Sequence, residues 1–386
     1  MLRNMLSSRL VRRLSTISAI TPTISSSPSA PSAAPHLLAQ LKEERDPEKL
    51  FLLFQRHSSS RLLIENSFAY KDMVSRLAGA GRHDLVAQIL EPQLRGPLGR
   101  RHGFVLRVTS LYAHASMVSH AINAFYIYPT TKTFNAALSA IIQSKDLAHL
   151  AQFFSETPRA HGFSPDSFSF NLVIKAFSDM GFLDTAYLYM VEMENAGIKP
   201  DIFTYTTLMD AFYKNNQPII ANGLWNLMGL KGVRPNLATF NSRIQYLINK
   251  RKNWQAWNLT EKLVSLGIEP DETTYNLLIK GFSRVGHLLM AKRIFFSLGQ
   301  KLCSPNSKIY QTMIHYLCKN GEFDLAFKLC KESMSKNWFP NFDTITKLVE
   351  GLVESSNHEK GREILELVKR RVPPMKNLEV LKALLG

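Results

Sequence analysis

Residues 167–201 read SFSFNLVIKAFSDMGFLDTAYLYMVEMENAGIKPD. Phe170, Val173, Ile174 and Phe177 fall at i, i+3, i+4 and i+7, which puts them on one face of a helix. Gly181 sits where that helix should end. From Asp184 a second periodic run passes through Ala186, Leu188, Tyr189 and Met193. It stops at Gly197-Ile198-Lys199-Pro200, since proline cannot continue a helix. The stretch thus predicts a pair of short helices. Such a pair cannot bury its own apolar face and needs neighbours of the same kind.

The neighbours are present. Pro165-Asp166, Pro200-Asp201, Pro235-Asn236, Pro270-Asp271, Pro305-Asn306 and Pro340-Asn341 follow one another at intervals of 35 residues. Ala186, Ala221, Ala256, Ala291 and Ala326 repeat at the same interval, as do Phe170, Tyr205, Phe240, Tyr275 and Tyr310. Gly181, Gly286 and Gly321 share a third phase, with Gly81 in an earlier, weaker copy. A small alanine early in each second helix lets the paired helices approach closely. Length alone suggests two or three domains for 386 residues, but a fixed period replaces that count with one stacked array.

The register divides the chain as follows. Residues 131–341 form six repeats: 131–166 with one extra residue, then 167–201, 202–236, 237–271, 272–306 and 307–341. Residues 67–130 hold two degenerate copies, divided at 101. Residues 34–66 are expected to be a capping helical pair, with Asp46-Pro47 as helix cap and first turn. Residues 342–386 make a degenerate last copy and a terminal cap helix.

Composition sets the outer bounds. Hydrophobic residues are 45% and charged residues 20%, which excludes wholesale disorder. No run of 18 apolar residues suggests a membrane span. Lys and Arg number 47 against 31 Asp and Glu, and the net charge of +16 points to a polyanionic partner. Part of that excess sits in residues 1–33, which hold four arginines, nine serines and no acid; the first acidic residue is Glu43. Leu2, Met5, Leu6, Leu10, Val11 and Leu14 can line one side of a short helix there. An Arg-rich, Ser-rich, acid-free amphipathic start reads as an organelle transit peptide, for the mitochondrion before the chloroplast. Without its four arginines the net charge drops by four.

The hairpin that ends in Gly-x-x-Pro-Asp and restarts on a Thr-aromatic-Asn run resembles the pentatricopeptide repeat, a plant-type member made of repeats alone. The likeness is close in residues 202–236, with DIFTYTTLMDAFYKNN and GVRPN, and in residues 272–306 and 307–341. The resemblance implies an all-α fold, a right-handed α-solenoid of helix-turn-helix repeats. It also implies single-stranded RNA as partner, about one base per repeat read by two or three side chains. The fifth residue of each repeat and the last one, beside the proline, would approach the base edge. These pairs are Asn135 with Asp166, Asn171 with Asp201, Thr206 with Asn236, Asn241 with Asp271, and Asn276 with Asn306. In the family's code they spell 5′-UUAU(C/U)-3′. The second residue wedges between bases, a role that Phe168 and Phe203 suit; Ala238 and Thr273 are weaker versions, and Lys132 departs from the pattern. Lys214, Arg284 and Lys319, at the thirteenth position, would flank the groove and meet phosphate.

Several positions depart from the code. Gln311 with Asn341 is not a standard pair, Thr346 with Lys376 ends in a cation where the pattern wants Asp or Asn, and neither Lys71 with Arg101 nor Leu106 with Thr130 can be read. The turn Lys250-Arg251-Lys252, backed by Trp254 and Trp257, and the tract Lys369-Arg370-Arg371 are further basic patches. The bland alternative for the Asn and Thr positions is a set of helix-start polar groups serving structure.

No catalytic constellation stands out. His358-Glu359 lacks the second histidine of a zinc protease helix, and no His-x-Glu with a downstream Cys-x-x-Cys marks a zinc deaminase. Cys303, Cys318 and Cys330 have no metal spacing and read as packing residues. The expectation is therefore a protein that is not an enzyme and needs no metal or cofactor: an RNA-binding adaptor in processing, stability or translation of organelle transcripts. The alternatives are a structural or assembly component of the mitochondrial ribosome, and a protein-binding scaffold.

Overall fold

In the computed structural model, residues 33–298, 303–375 and 377–385 are described. Residues 1–32, where the transit-peptide reading falls, lie outside them, as does Lys376. Every described element is helical: 22 α-helices and one 3₁₀ turn, with no strand among the described residues. They fall into two compact units, one ending at Gln93 and the other starting at Leu94, a boundary inside the weak copy 67–101.

The first unit holds Ala33–Glu43, Pro47–Arg56, Arg61–Glu65 and Ser67–Gly79, so three short helices precede the first weak copy where the sequence suggested a pair. Asp46 accepts from the backbone N–H groups of Glu48 and Lys49, and Pro47 fills the first helical position. Phe54 meets Tyr70 edge-on at 4.9 Å between ring centres, within a core of Leu50, Leu63, Met73 and Leu77.

The second unit is a run of helical hairpins. First helices are His102–His114, Thr131–Ser144, Ser167–Asp179, Ile202–Lys214, Leu237–Asn249, Glu272–Arg284, Ser307–Lys319 and Phe342–Glu354. Second helices are Val118–Ile127, Leu147–His161, Leu183–Asn195, Pro218–Leu230, Asn253–Ser265, Leu288–Leu298, Phe323–Ser335 and His358–Lys369, with Leu378–Leu385 behind the last. Each first helix packs on the first helices before and after it and on its own partner, which gives two layers. The recurring alanines are fully buried at that pairing, and the fourth-position aromatics Phe134, Phe170, Tyr205, Phe240, Tyr275 and Tyr310 are buried as well. Two apolar clusters fill the interlayer, and Trp225 packs against both, edge-on to Phe240 at 5.2 Å. Cys318 and Cys330 lie inside this core, and burial pushes both thiols up to about 12, as packing residues rather than nucleophiles.

Each hairpin turns on a left-handed residue. Gly81, Gly181, Gly286 and Gly321 hold positive φ after their first helices, at the phase seen in the sequence. Asn216, Arg251 and Ser356 take the same conformation at the same register without being glycine. A second left-handed residue closes the second helices at Gly162, Gly197, Gly232, Gly267 and Asn337. An L-residue in this region costs about 1–2 kcal/mol. Gly286 has φ +86° and open space where a Cβ would go, so any loss there is backbone strain alone. Gly286→Ala should destabilise the array by about 1 kcal/mol in chemical denaturation. An unchanged midpoint would mean that the turn tolerates a side chain and does not hold the register.

Candidate nucleic-acid interface

The start of each first helix is set by the residue beside the proline. Asp166, Asp201 and Asn236 have extended backbone, and their side chains accept the N–H of Ser169, Thr204 and Thr239, three residues on. Those hydroxyls return the bond to the cap's own N–H, a reciprocal capping box. Asp271, Asn306 and Asn341 cap their helices on one side only. The last residue of one repeat is therefore the N-cap of the next, and it stays at the surface while the third residue is buried.

The fifth residue of the preceding repeat reaches into this junction. The Asn135 Nδ2 donates to Asp166 Oδ1 at 3.2 Å, and the Ser169 hydroxyl donates to Asn135 Oδ1 at 2.5 Å. Asn171 bonds Asp201 at 3.3 Å and receives Thr204 at 2.7 Å; Asn241 bonds Asp271 at 3.1 Å and receives Thr274 at 2.7 Å. Three of the five sequence-derived pairs are thus in direct contact. Thr206 and Asn236 are joined through a third residue: Thr206 meets the Thr239 hydroxyl at 2.8 Å, and that hydroxyl bonds Asn236 at 3.0 Å. Asn276 and Asn306 are not joined. The Asn276 Oδ1 is buried without a partner, and Asn306 Oδ1 is taken by the N–H groups of Lys308 and Ile309.

The same geometry accounts for the departures. Gln311, one methylene longer, spends its amide on the junction. Its Nε2 donates to Asn341 Oδ1 at 3.1 Å and to Thr344 at 2.8 Å, and its Oε1 accepts the Asn341 N–H at 2.7 Å. Thr346 turns back onto its own helix, donating to Phe342 O at 3.0 Å.

Several of these side chains share one groove of about 780 Å³ along the first helices, lined in part by Phe203, Thr206, Asn241, Lys175, Asp210 and Lys214. Phe168 and Phe203 stand 59% and 52% exposed at the second position, where a phenyl ring has no packing reason to be. Phe68, at the same register of the first weak copy, is more exposed still, and the sequence reading passed over it.

The cations divide along the array. Lys214 is tied to Asp210 at 2.5 Å, one helical turn back, and Lys175 to Asp179 at 2.5 Å, so neither offers a free charge. Arg284 and Lys319 are exposed and have no ion pair among the described residues; the same holds for Lys280 and Lys347. Lys280 sits four residues from Arg284 with no acid between, an arrangement of like charges that favours a bound anion. His315 is held below its ordinary value by burial and then by Lys347 and Lys319. The basic turn is different. Trp254 packs edge-on to Phe282 at 5.0 Å, Trp257 donates to Glu261, and Lys250 lies over Tyr246.

A two-layer array of helical hairpins whose junctions present one polar side-chain set per repeat defines a helical-repeat binding scaffold. The sequence patterns of known families agree. The PPR repeat family matches residues 165–214, 235–284 and 305–354, the pentatricopeptide repeat domain residues 190–250, and the PPR repeat residues 273–301. A mitochondrial pentatricopeptide repeat-containing protein of Arabidopsis thaliana is 30% identical over 341 residues, 86% of this chain and 84% of that one. The chain belongs to the pentatricopeptide repeat family. A second mitochondrial member from Arabidopsis is 48% identical over 201 residues, half of this chain; the chain spans about half that relative's length. The Arabidopsis small ribosomal subunit protein mL103 (rPPR7) is 29% identical over 379 residues, 96% of this chain and 91% of its own. The fold is shared with the crystal structure of PPR10 from maize, at a TM-score of 0.53 and 17% identity, over 92% of this chain and 60% of that one. Mitochondrion is the compartment that these relatives share with the reading of residues 1–33. No helix among the described residues is long and apolar enough to cross a membrane.

The caps carry a pH signature. Burial raises the Asp166 and Asp271 carboxyls, but bonds from the Ser169 and Thr274 backbone and hydroxyl groups and from Asn135 and Asn241 outweigh it, and both end below the usual carboxylate range. A carboxyl lowered by folding stabilises above its unfolded pKa of about 4 and loses that contribution as pH falls through the folded value. Replacing both by Asn keeps a cap acceptor and removes the titration. Melting temperature between pH 5 and pH 3 should therefore drop less in Asp166→Asn/Asp271→Asn than in the unmodified chain. Parallel curves would show that these caps do not govern acid stability.

Proposed function

We propose that the chain binds single-stranded RNA along its first helices, with one base at each junction, and acts as an adaptor on mitochondrial transcripts without chemistry of its own. The observation that carries this is the junction itself. In repeats 131–166, 167–201 and 237–271 an asparagine amide donates to the cap carboxylate at the surface, so that one Nδ2 hydrogen is left over beside a carboxylate acceptor. Uracil offers an acceptor oxygen beside a donor N3–H, which matches amide donor and carboxylate acceptor. Cytosine places a lone pair at N3 and would face the carboxylate with it. At the third unit Asn236 keeps Nδ2 without an intramolecular partner among the described residues, beside the Thr206 hydroxyl, a set that suits the acceptor N1 of adenine. Exposed Phe168 and Phe203 suit stacking between adjacent bases, worth about 1–3 kcal/mol per base in single-strand sites. Arg284 and Lys319 would hold phosphate at the far end; Lys214 is committed to Asp210 and contributes less than its register suggests.

Bases would run 5′-UUAU(C/U)-3′ from repeat 131–166 to repeat 272–306. An oligonucleotide carrying UUAUC should bind more tightly than its complement at matched salt, across a salt series. Equal affinity would defeat sequence reading. Thr206→Asn should move the preference at the third base from A toward a pyrimidine, and an unmoved preference would defeat the register.

A second reading is supported by the match to mL103 over nearly the full length of both chains: a component of the mitochondrial ribosome that grips RNA or protein by shape. High-salt sedimentation of mitochondrial lysate separates the two. Residence in ribosomal fractions supports this reading, and its absence there removes it.

A further inference from the structure

We infer that the hydroxyls of Ser169, Thr204 and Thr274, each at the third position of its repeat, are positioning groups for the base-reading asparagine of the repeat before, and that the absence of that hydroxyl at Ile309 is the physical cause of the cytosine–uracil ambiguity that the family's code gives repeat 272–306. The inference rests on the base-reading proposal and adds to it a residue outside the reading pair.

An asparagine amide has a donor end and an acceptor end of nearly equal size, so its two orientations differ only in what they bond. At Asn135, Asn171 and Asn241 two partners select the same orientation. The N-cap carboxylate can only accept, so it takes the nitrogen. The hydroxyl of Ser169, Thr204 or Thr274 gives its proton to the oxygen, at 2.5, 2.7 and 2.7 Å. Each of these hydroxyls also lies 2.8–3.1 Å from the cap carboxylate, so its proton is shared between two acceptors, and the amide oxygen is the closer. Flipping the amide would set nitrogen against the hydroxyl proton and oxygen against carboxylate, losing both bonds. Thr239 meets the Thr206 hydroxyl at 2.8 Å, whereas Thr344 accepts from the Gln311 Nε2, the reverse direction.

At the remaining junction both anchors are gone. Residue 309 is a fully buried isoleucine, and the cap is neutral Asn306, whose oxygen is engaged by two backbone N–H groups. The Asn276 Oδ1 is consequently a buried oxygen with no donor to meet it. Nothing favours one amide orientation, so the side chain can turn its donor to uracil O4 or its acceptor to the cytosine amino group at similar free energy. Sequence identity at this step is then set by size alone, pyrimidine over purine.

The test uses the full chain and RNA oligonucleotides 5′-UUAUN-3′ with N varied, alongside oligonucleotides varied at the fourth base, with dissociation constants and melting temperatures measured together. The unmodified protein should bind N = C and N = U within about two-fold of each other and reject purines. Ile309→Thr should split the two pyrimidines by about five-fold or more, the size expected when a polar group is left unpaired against the wrong base. Thr274→Val should do the opposite at the fourth base, relaxing uracil over cytosine. A melting temperature that moves while both ratios stay fixed would overturn the inference, because a purely structural hydroxyl predicts that outcome. Should Ile309→Thr not fold, Thr274→Val decides alone by the same criterion. Loss of base preference at all five positions in the unmodified protein would instead overturn the base-reading proposal, and this inference with it.

Discussion

The structure depends on the helix N-cap at each repeat boundary. A first helix begins with backbone N–H groups that no carbonyl of its own can satisfy. Asp166, Asp201, Asn236, Asp271, Asn306 and Asn341 satisfy them from the residue beside the proline. Proline fixes the approach, the cap fixes the start, and the fourth-position side chain, aromatic in five of these six repeats and Ile345 in the last, is then delivered into the core. Because the cap side chain must stay at the surface to bond a helix start, each repeat exposes one polar anchor at the same place. Function, on this account, is borrowed from that requirement: the group that starts the helix also orients the group that faces the base.

That double use explains why the bland and the functional readings of the Asn and Thr positions do not compete. Asn135 and Asn171 are structural, each only 7% exposed and bonded across a repeat boundary. Those same bonds hold each amide against the cap carboxylate in a fixed arrangement. Preorganisation of this kind saves the entropy of ordering the side chains when RNA arrives. Where the bonds use up the whole amide, as at Gln311, or turn it onto its own helix, as at Thr346, the junction has nothing left to present.

Most of the fold was legible because its punctuation is made of residues with backbone reasons. Proline beside Asp or Asn, glycine at a turn and alanine at a helix contact each have a local conformational or packing reason that can be read from one repeat alone. Less was legible where an ordinary residue does a special residue's work. Asn216 takes a left-handed turn that its type allows, but Arg251 and Ser356 take the same turn and nothing in their type announces it. The third-position hydroxyls looked like common helix-start residues; their bond to the preceding repeat depends on how far one hairpin is stacked on the next, which a single repeat does not encode. Lys214 shows the opposite case. Asp210 lies four residues before it, and that spacing alone was enough to forecast the ion pair. The free cations Lys280 and Lys347 lie at ninth and sixth positions, outside the thirteenth-position pattern that directed attention to Arg284 and Lys319.

The central claim is one base per junction, in order along the array. Photo-crosslinking tests it most directly, with 4-thiouridine placed singly at the first, second or fourth position of UUAUC and the attached peptides identified by mass spectrometry. The account expects adducts on first helices, stepping by one repeat from the first base to the second and by two from the second to the fourth. Adducts on second helices, or at the same residues whichever base carries the label, would contradict it.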